Sequence, residues 1–140
     1  MFGDYAEDID RKKAVIAMLI KLANVDKDAV DIERRFIMDV AEQIGLPVAD
    51  LTEIAKNPDQ YELTPPESEQ DRMNILYYLL FTMRVDGVIK EEEERLCYKA
   101  GLRLGFNEHL TADLIRIMKT YLHKNIPTEV MLDAIRKYLN

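Results

Sequence analysis

The sequence predicts an all-α fold, a single compact bundle of about seven helices with an internal pseudo-twofold repeat. Three observations point there. Apolar residues recur at helical spacing through most of the chain, and no alternating strand pattern of useful length occurs anywhere. With only 5 Gly and 5 Pro in 140 residues, punctuation is sparse, which suits longer helices joined by short turns. At that length, with 48% hydrophobic residues, the chain fits one domain over residues 1–140 with a proper core.

The first helix is expected from about Ile9 to Val25, with Val15, Ile16, Leu19, Ile20 and Ala23 on one face. The second runs from about Asp31 to Ile44, turning Phe36, Ile37, Val40, Ala41 and Ile44 inward, with Gly45 as its stop. A short third helix starts near Pro47, a favoured first-turn residue, and ends before Asn57-Pro58. Residues 57–66 form the longest irregular stretch. Thr64-Pro65-Pro66-Glu67 then has the pattern of a capping box, with Thr64 as the cap. The fourth helix follows to about Val85. It is apolar around most of its circumference, which predicts the buried centre of the bundle; any side of it left exposed is a protein-interaction patch. The fifth helix spans about Glu91 to Leu104, and Asn107 caps the sixth. Pro127 opens the seventh, which is expected to bury Val130, Ala134, Ile135 and Tyr138.

Composition narrows the function. Asp and Glu outnumber Lys and Arg 26 to 19, a net charge of −7, so phosphate-rich nucleic acid and anionic membrane surfaces are disfavoured and cations are the natural ligands. One cysteine and two histidines cannot build a Cys/His zinc site. Acids come early in Met1–Asp8 and no apolar core accompanies them, unlike a signal peptide. No uncharged stretch approaches the length of a membrane span, so a cytoplasmic location is expected. Cys97 reads as a small core residue. His109 precedes Asp113 by one turn, an exposed helical pair in the plainer reading. Neither histidine has a Ser or Cys partner in a nucleophile motif, and no Gly-rich phosphate loop is present, so no enzyme activity is expected.

Displaced by 60 residues (79 − 19), the chain overlays on itself without a gap. Leu19 falls on Leu79, Val25-Asp26 on Val85-Asp86, Glu33 on Glu93, Arg35 on Arg95, and Gly45 on Gly105. These pairs mark a helix end, an acidic turn, the next helix start and its glycine stop. The repeat units span about residues 9–57 and 67–124, followed by a C-terminal helix over 127–139.

In each copy an Asp ends one helix and a Glu follows seven residues later, in the first turn of the next. The second copy reads Val85-Asp86-Gly87-Val88-Ile89-Lys90-Glu91-Glu92-Glu93. An Asp-Gly turn with a Glu at this spacing, used twice in an all-helical domain of this size, resembles the TerB-like tellurite-resistance family over roughly residues 9 to 124. The first copy departs from that pattern with Lys27 in the glycine position. The resemblance implies a non-enzymatic stress-response module associated with tellurite resistance, with an acidic surface that binds metal ions. By that match the metal-site residues are Asp26, Glu33, Asp86 and Glu93, and a divalent cation such as calcium is the possible cofactor. Convergence of the two turns about the pseudo-twofold axis would bring four carboxylates together, as hard cations require. The site is not an EF-hand: from Asn24 the sixth position is Ala29 rather than Gly, and the twelfth is Arg35 rather than Glu.

The same residues support a second reading. A first-turn Glu accepts a hydrogen bond from the cap residue's N–H and complements the helix dipole, and a turn Asp accepts nearby N–H groups. The acidic turns are then purely structural, and the domain is an adaptor recruiting an unknown protein partner. Four carboxylates around one point favour the ion; an exposed apolar groove favours the adaptor.

Overall fold

The computed structural model describes residues 9–23 and 30–138. Those residues form seven α-helices, one 3-10 turn and no strand. In chain order the helices are α1 (Ile9–Ala23), α2 (Val30–Gln43), α3 (Val48–Lys56), α4 (Glu69–Arg84), α5 (Glu91–Arg103), α6 (Glu108–Thr120) and α7 (Thr128–Tyr138); the 3-10 turn is Pro58–Gln60. Among the described residues, no helix is long and apolar enough to cross a membrane.

One hydrophobic core collects side chains from α1 to α6. In α1 six consecutive residues, Ala14 to Leu19, are buried, so this helix is enclosed over more than a full turn. The small Ala14 and Ala17 let neighbouring helices close around it. Helix α4, expected from its sequence at the buried centre, buries Met73, Ile75, Leu76, Leu79, Leu80, Thr82 and Met83 and packs on α2, α5 and α6, but it keeps one side open, with Phe81 42% exposed. Helical periodicity measures how apolar a circumference is; it does not reveal which neighbours arrive to cover it.

Helix ends follow local chemistry. At the end of α2, Gly45 adopts φ +80°, its N–H donates to Glu42 O at 3.1 Å, and the Leu46 N–H donates to Ala41 O at 2.8 Å. At the end of α5, Gly105 adopts φ +92°, its N–H donates to Leu102 O at 3.0 Å, and the Phe106 N–H donates to Gly101 O at 3.0 Å. Both are Schellman closures, in which a glycine turns the chain left-handed and the next residue reaches back five positions. Asn107 caps α6 as expected, its Oδ1 accepting from the His109 N–H at 2.7 Å. The start of α4 differs: the cap is Ser68, whose Oγ accepts from the Asp71 N–H at 3.3 Å, and not Thr64. The Pro65-Pro66 pair explains the shift, because a residue followed by proline is driven out of the α region, so Pro65 cannot begin a helix.

The last helix is looser than its pattern suggests. No residue of α7 is fully buried; Val130, Ala134, Ile135 and Tyr138 are half-buried against the core, and the helix packs on α6. Its firmest polar tie is Tyr138 Oη donating to Asp113 Oδ2 at 2.8 Å. Asp113 Oδ1 lies 3.7 Å from Arg116, and exposed His109 lies 3.6 Å from Glu108 and not against Asp113.

Helices α5 and α6 approach most closely at Gly101. A Cβ there would lie 2.6 Å from Thr111 Cγ2, and Thr111 is fully buried with its hydroxyl donating to Asn107 O. Gly101→Ala is therefore expected to destabilise the fold by about 1–3 kcal/mol despite alanine's higher helix propensity. Adding Thr111→Ala should recover part of the loss in denaturant titrations; a neutral or stabilising Gly101→Ala would contradict this packing.

Candidate functional site

The acidic turn between α4 and α5 is built from its backbone outward. The Gly87 N–H donates to Arg84 O at 3.1 Å, and Gly87 takes φ +77°, a conformation that favours glycine. This turn leaves Val85, Asp86 and Val88 exposed and delivers Lys90 as the cap of α5. Lys90 has no side-chain acceptor, so half of a capping box is chemically impossible. The other half forms: Glu93 Oε1 accepts from the Lys90 N–H at 2.9 Å. Glu93 is 7% exposed, a carboxylate carried inside by its cap.

Arg84 fixes the turn from behind. Its guanidinium donates to the carbonyls of Tyr121, Leu122 (3.4 Å) and Lys124 (2.8 Å), which emerge at the C-terminal end of α6. Helix ends leave such carbonyls without intrahelical partners, and the dipole there favours a cation. One side chain thus ties the end of α4 to the end of α6.

The four residues expected to bind metal are placed as follows. Asp26 lies outside the described residues. Glu33 is 3% exposed in the first turn of α2. Asp86 is exposed in the turn, and Glu93 is buried beside it, within electrostatic reach. A further carboxylate joins them. Asp39, from the middle of α2, lies within electrostatic reach of both Asp86 and Glu93. Nothing in the sequence marks Asp39; it reads as one more polar residue on a solvated helix face, and only the packing of α2 beside α4 and α5 brings it to the turn. Among the described residues, no group of three or more His, Cys, Asp or Glu is arranged to hold a metal ion.

Burial pushes the Glu93 carboxyl up from its ordinary range, and Asp86 and Asp39 add to this, while the Lys90 N–H and the Lys90 charge oppose it. Asp39 is also pushed up, first by burial and then by Asp86 and Glu42, against the pull of Arg35 and Lys90. Cys97, fully buried below this cluster, is raised far above the usual thiol range by burial and then by Glu93 and Glu94. Such a thiol stays protonated and unreactive.

A second feature adjoins the turn. Gln43 of α2, Asn74, Tyr77, Tyr78, Phe81 and Thr82 of α4, and Val85 just past its end line an open groove of about 300 Å³. The Tyr77 and Phe81 rings meet edge-on at a centroid distance of 6.2 Å. Val85 is 65% exposed and Val88, just beyond it, 60%. The open side of α4 thus carries exposed Phe81 and half-buried Tyr77 and continues into exposed Val85 past its end, while Met73 and Met83 are buried.

No family model, curated protein or solved structure matches the chain.

The raised carboxyls set a pH dependence. A folded-state pKa above the unfolded value contributes stability that is complete below the unfolded value and lost as pH rises through the folded one. Glu93→Gln and Asp39→Asn should therefore each raise the melting temperature relative to wild type at about pH 7, with the gap closing below about pH 4. Glu93→Ala, which removes the acceptor for the Lys90 N–H, should cost about 1 kcal/mol at both. Thermal melts across pH check this; a Gln variant less stable than wild type at neutral pH would contradict it.

Proposed function

We propose that this chain is a non-enzymatic protein-interaction module in which the acidic turn between α4 and α5 is structural. The observation that carries this reading is exposed Phe81 and Val85, with half-buried Tyr77 one turn before them, beside an open groove. Apolar and aromatic side chains at four-residue spacing along one face are the usual form of a helical docking surface. The commitment of Glu93 to the Lys90 N–H supports the structural role of the turn.

A TerB-like origin by internal duplication belongs to the same proposal. It is supported by the starts of α3 and α6 (108 − 48), 60 residues apart, and by the matching Schellman closures at Gly45 and Gly105. A pseudo-twofold axis relating the two halves is the arrangement this predicts, and a link to stress response or tellurite resistance rests on the family resemblance.

A photo-crosslinking amino acid placed at Phe81 tests the interaction reading in cells. Discrete crosslinked species are expected from position 81 and not from Arg136 on α7. Equal yields from both positions, or none from 81, would refute it.

Divalent-cation binding is a second reading, which rests on the family resemblance. Calorimetric titration with calcium, magnesium and zinc decides it, on wild type and on Asp86→Asn with Glu93→Gln. Saturable binding abolished by the double change supports an ion site; no heat at millimolar ion removes it.

A further inference from the structure

The groove on α4 carries information about what fills it, and the inference rests on the interaction reading above. Every residue lining the groove is uncharged. From Asn74 to Val85 the strip covers 11 residue steps (85 − 74), about 16 Å of helix. The groove runs along α4, and α2, which packs on α4, contributes Gln43 at its C-terminal end. Among the described residues there is no strand, hence no sheet edge for an extended peptide to join. A trough between helices, with Tyr77, Phe81 and Val85 one turn apart, complements a helix bearing apolar residues at a similar spacing.

Charge narrows the occupant further. At the Val85 end the groove opens on Asp86. Asp39 lies one turn of α2 before the lining residue Gln43, within electrostatic reach of Asp86, and Glu42 lies beside it. Glu93 stands behind. Against these four carboxylates stand Arg35 and Lys90, together with Arg84, whose guanidinium lies 6.0 Å from the centroid of the Phe81 ring while donating to the carbonyls of Tyr121, Leu122 and Lys124, so acids exceed bases at this end. At the other end α4 begins with Glu69 and Asp71, while Arg72 is drawn off to Leu104 O and the Phe106 ring. A second copy of the chain would bring its own charge of −7 against the same acids.

We propose that the α2–α4 groove seats a basic amphipathic helix of a partner protein. Its apolar residues lie on Tyr77, Phe81 and Val85, and its Lys or Arg residues face Asp39, Glu42 and Asp86. Apolar contact with the strip supplies the affinity. The acidic rim supplies selection between partners of like apolar pattern, since like charges placed opposite one another are strongly disfavoured.

Two synthetic peptides of roughly 18 residues test this, long enough to form a helix on binding. They share one Leu pattern at helical spacing and differ in carrying Lys or Glu on the flanking positions. Fluorescence anisotropy gives affinity, and amide shifts of the labelled protein give the location. The Lys peptide is expected to bind with shifts centred on residues 77–85, and the Glu peptide about tenfold or more weaker. Phe81→Ser should weaken the Lys peptide by about tenfold, as loss of an aromatic anchor does. Asp39→Asn with Asp86→Asn should narrow the difference between the peptides. If Phe81→Ser does not fold, Val85→Ser, at the more exposed position, takes its place.

Equal affinity for the two peptides overturns the basic partner. If crosslinking at position 81 persists in that case, the groove remains an interface for a partner of other chemistry. A concentration-dependent dimer lost in Phe81→Ser makes a second copy the occupant and also overturns the proposal. Absence of both peptide binding and crosslinks removes the interaction reading with it.

Discussion

Short helices leave a large share of their backbone at their ends. Those described here run from 9 to 16 residues, and each leaves four N–H groups and four carbonyls without intrahelical partners. In a bundle this size many of those ends sit against the core, where an unpaired polar group costs about 1–3 kcal/mol. The rest of the architecture follows from how they are met. Glycines at 45 and 105 close α2 and α5 on themselves. Ser68, Glu93 and Asn107 receive N–H groups at the starts of α4, α5 and α6. Arg72 and Arg84, near the two ends of α4, reach out to carbonyls following α5 and α6.

Seen this way, the acidic turn is a junction. Its glycine makes the chain reverse, its glutamate begins the next helix, and the arginine before it holds a third helix by the end. The arrangement brings Asp39, Asp86 and Glu93 near one another and raises two of the three carboxyls. Capping accounts for Glu93, because helix N-termini favour negative charge, while Asp39 arrives from the middle of α2 by packing. The same junction directs Val85 and Val88 outward, so the structural turn and the apolar strip share one short segment.

Legibility in the sequence follows the range of the interaction. Helix positions were readable because 3.6-residue periodicity and stop glycines are local. The roles of Gly45, Gly105 and Asn107 could be read for the same reason. Thr64 misled because its capping pattern matched while the two prolines beside it forbade the helix. The enclosed position of α1, the open side of α4 and the half-burial of α7 depend on which helices meet, and apolar pattern alone does not state that. Asp39 is the sharpest case: its neighbours at the turn are more than forty residues away in sequence (86 − 39). Of the four carboxylates singled out, Asp86 and Glu93 come together, Glu33 is buried at the start of α2, and Asp26 lies outside the described residues.

If the acidic turn is structural, as proposed, its own hydrogen bonds hold it without an ion. Hydrogen exchange at the Lys90 amide tests this most directly, because that N–H donates to Glu93. The account predicts strong protection in chelator, unchanged by millimolar calcium and lost in Glu93→Ala. Protection that emerges only when a divalent ion is added would contradict it.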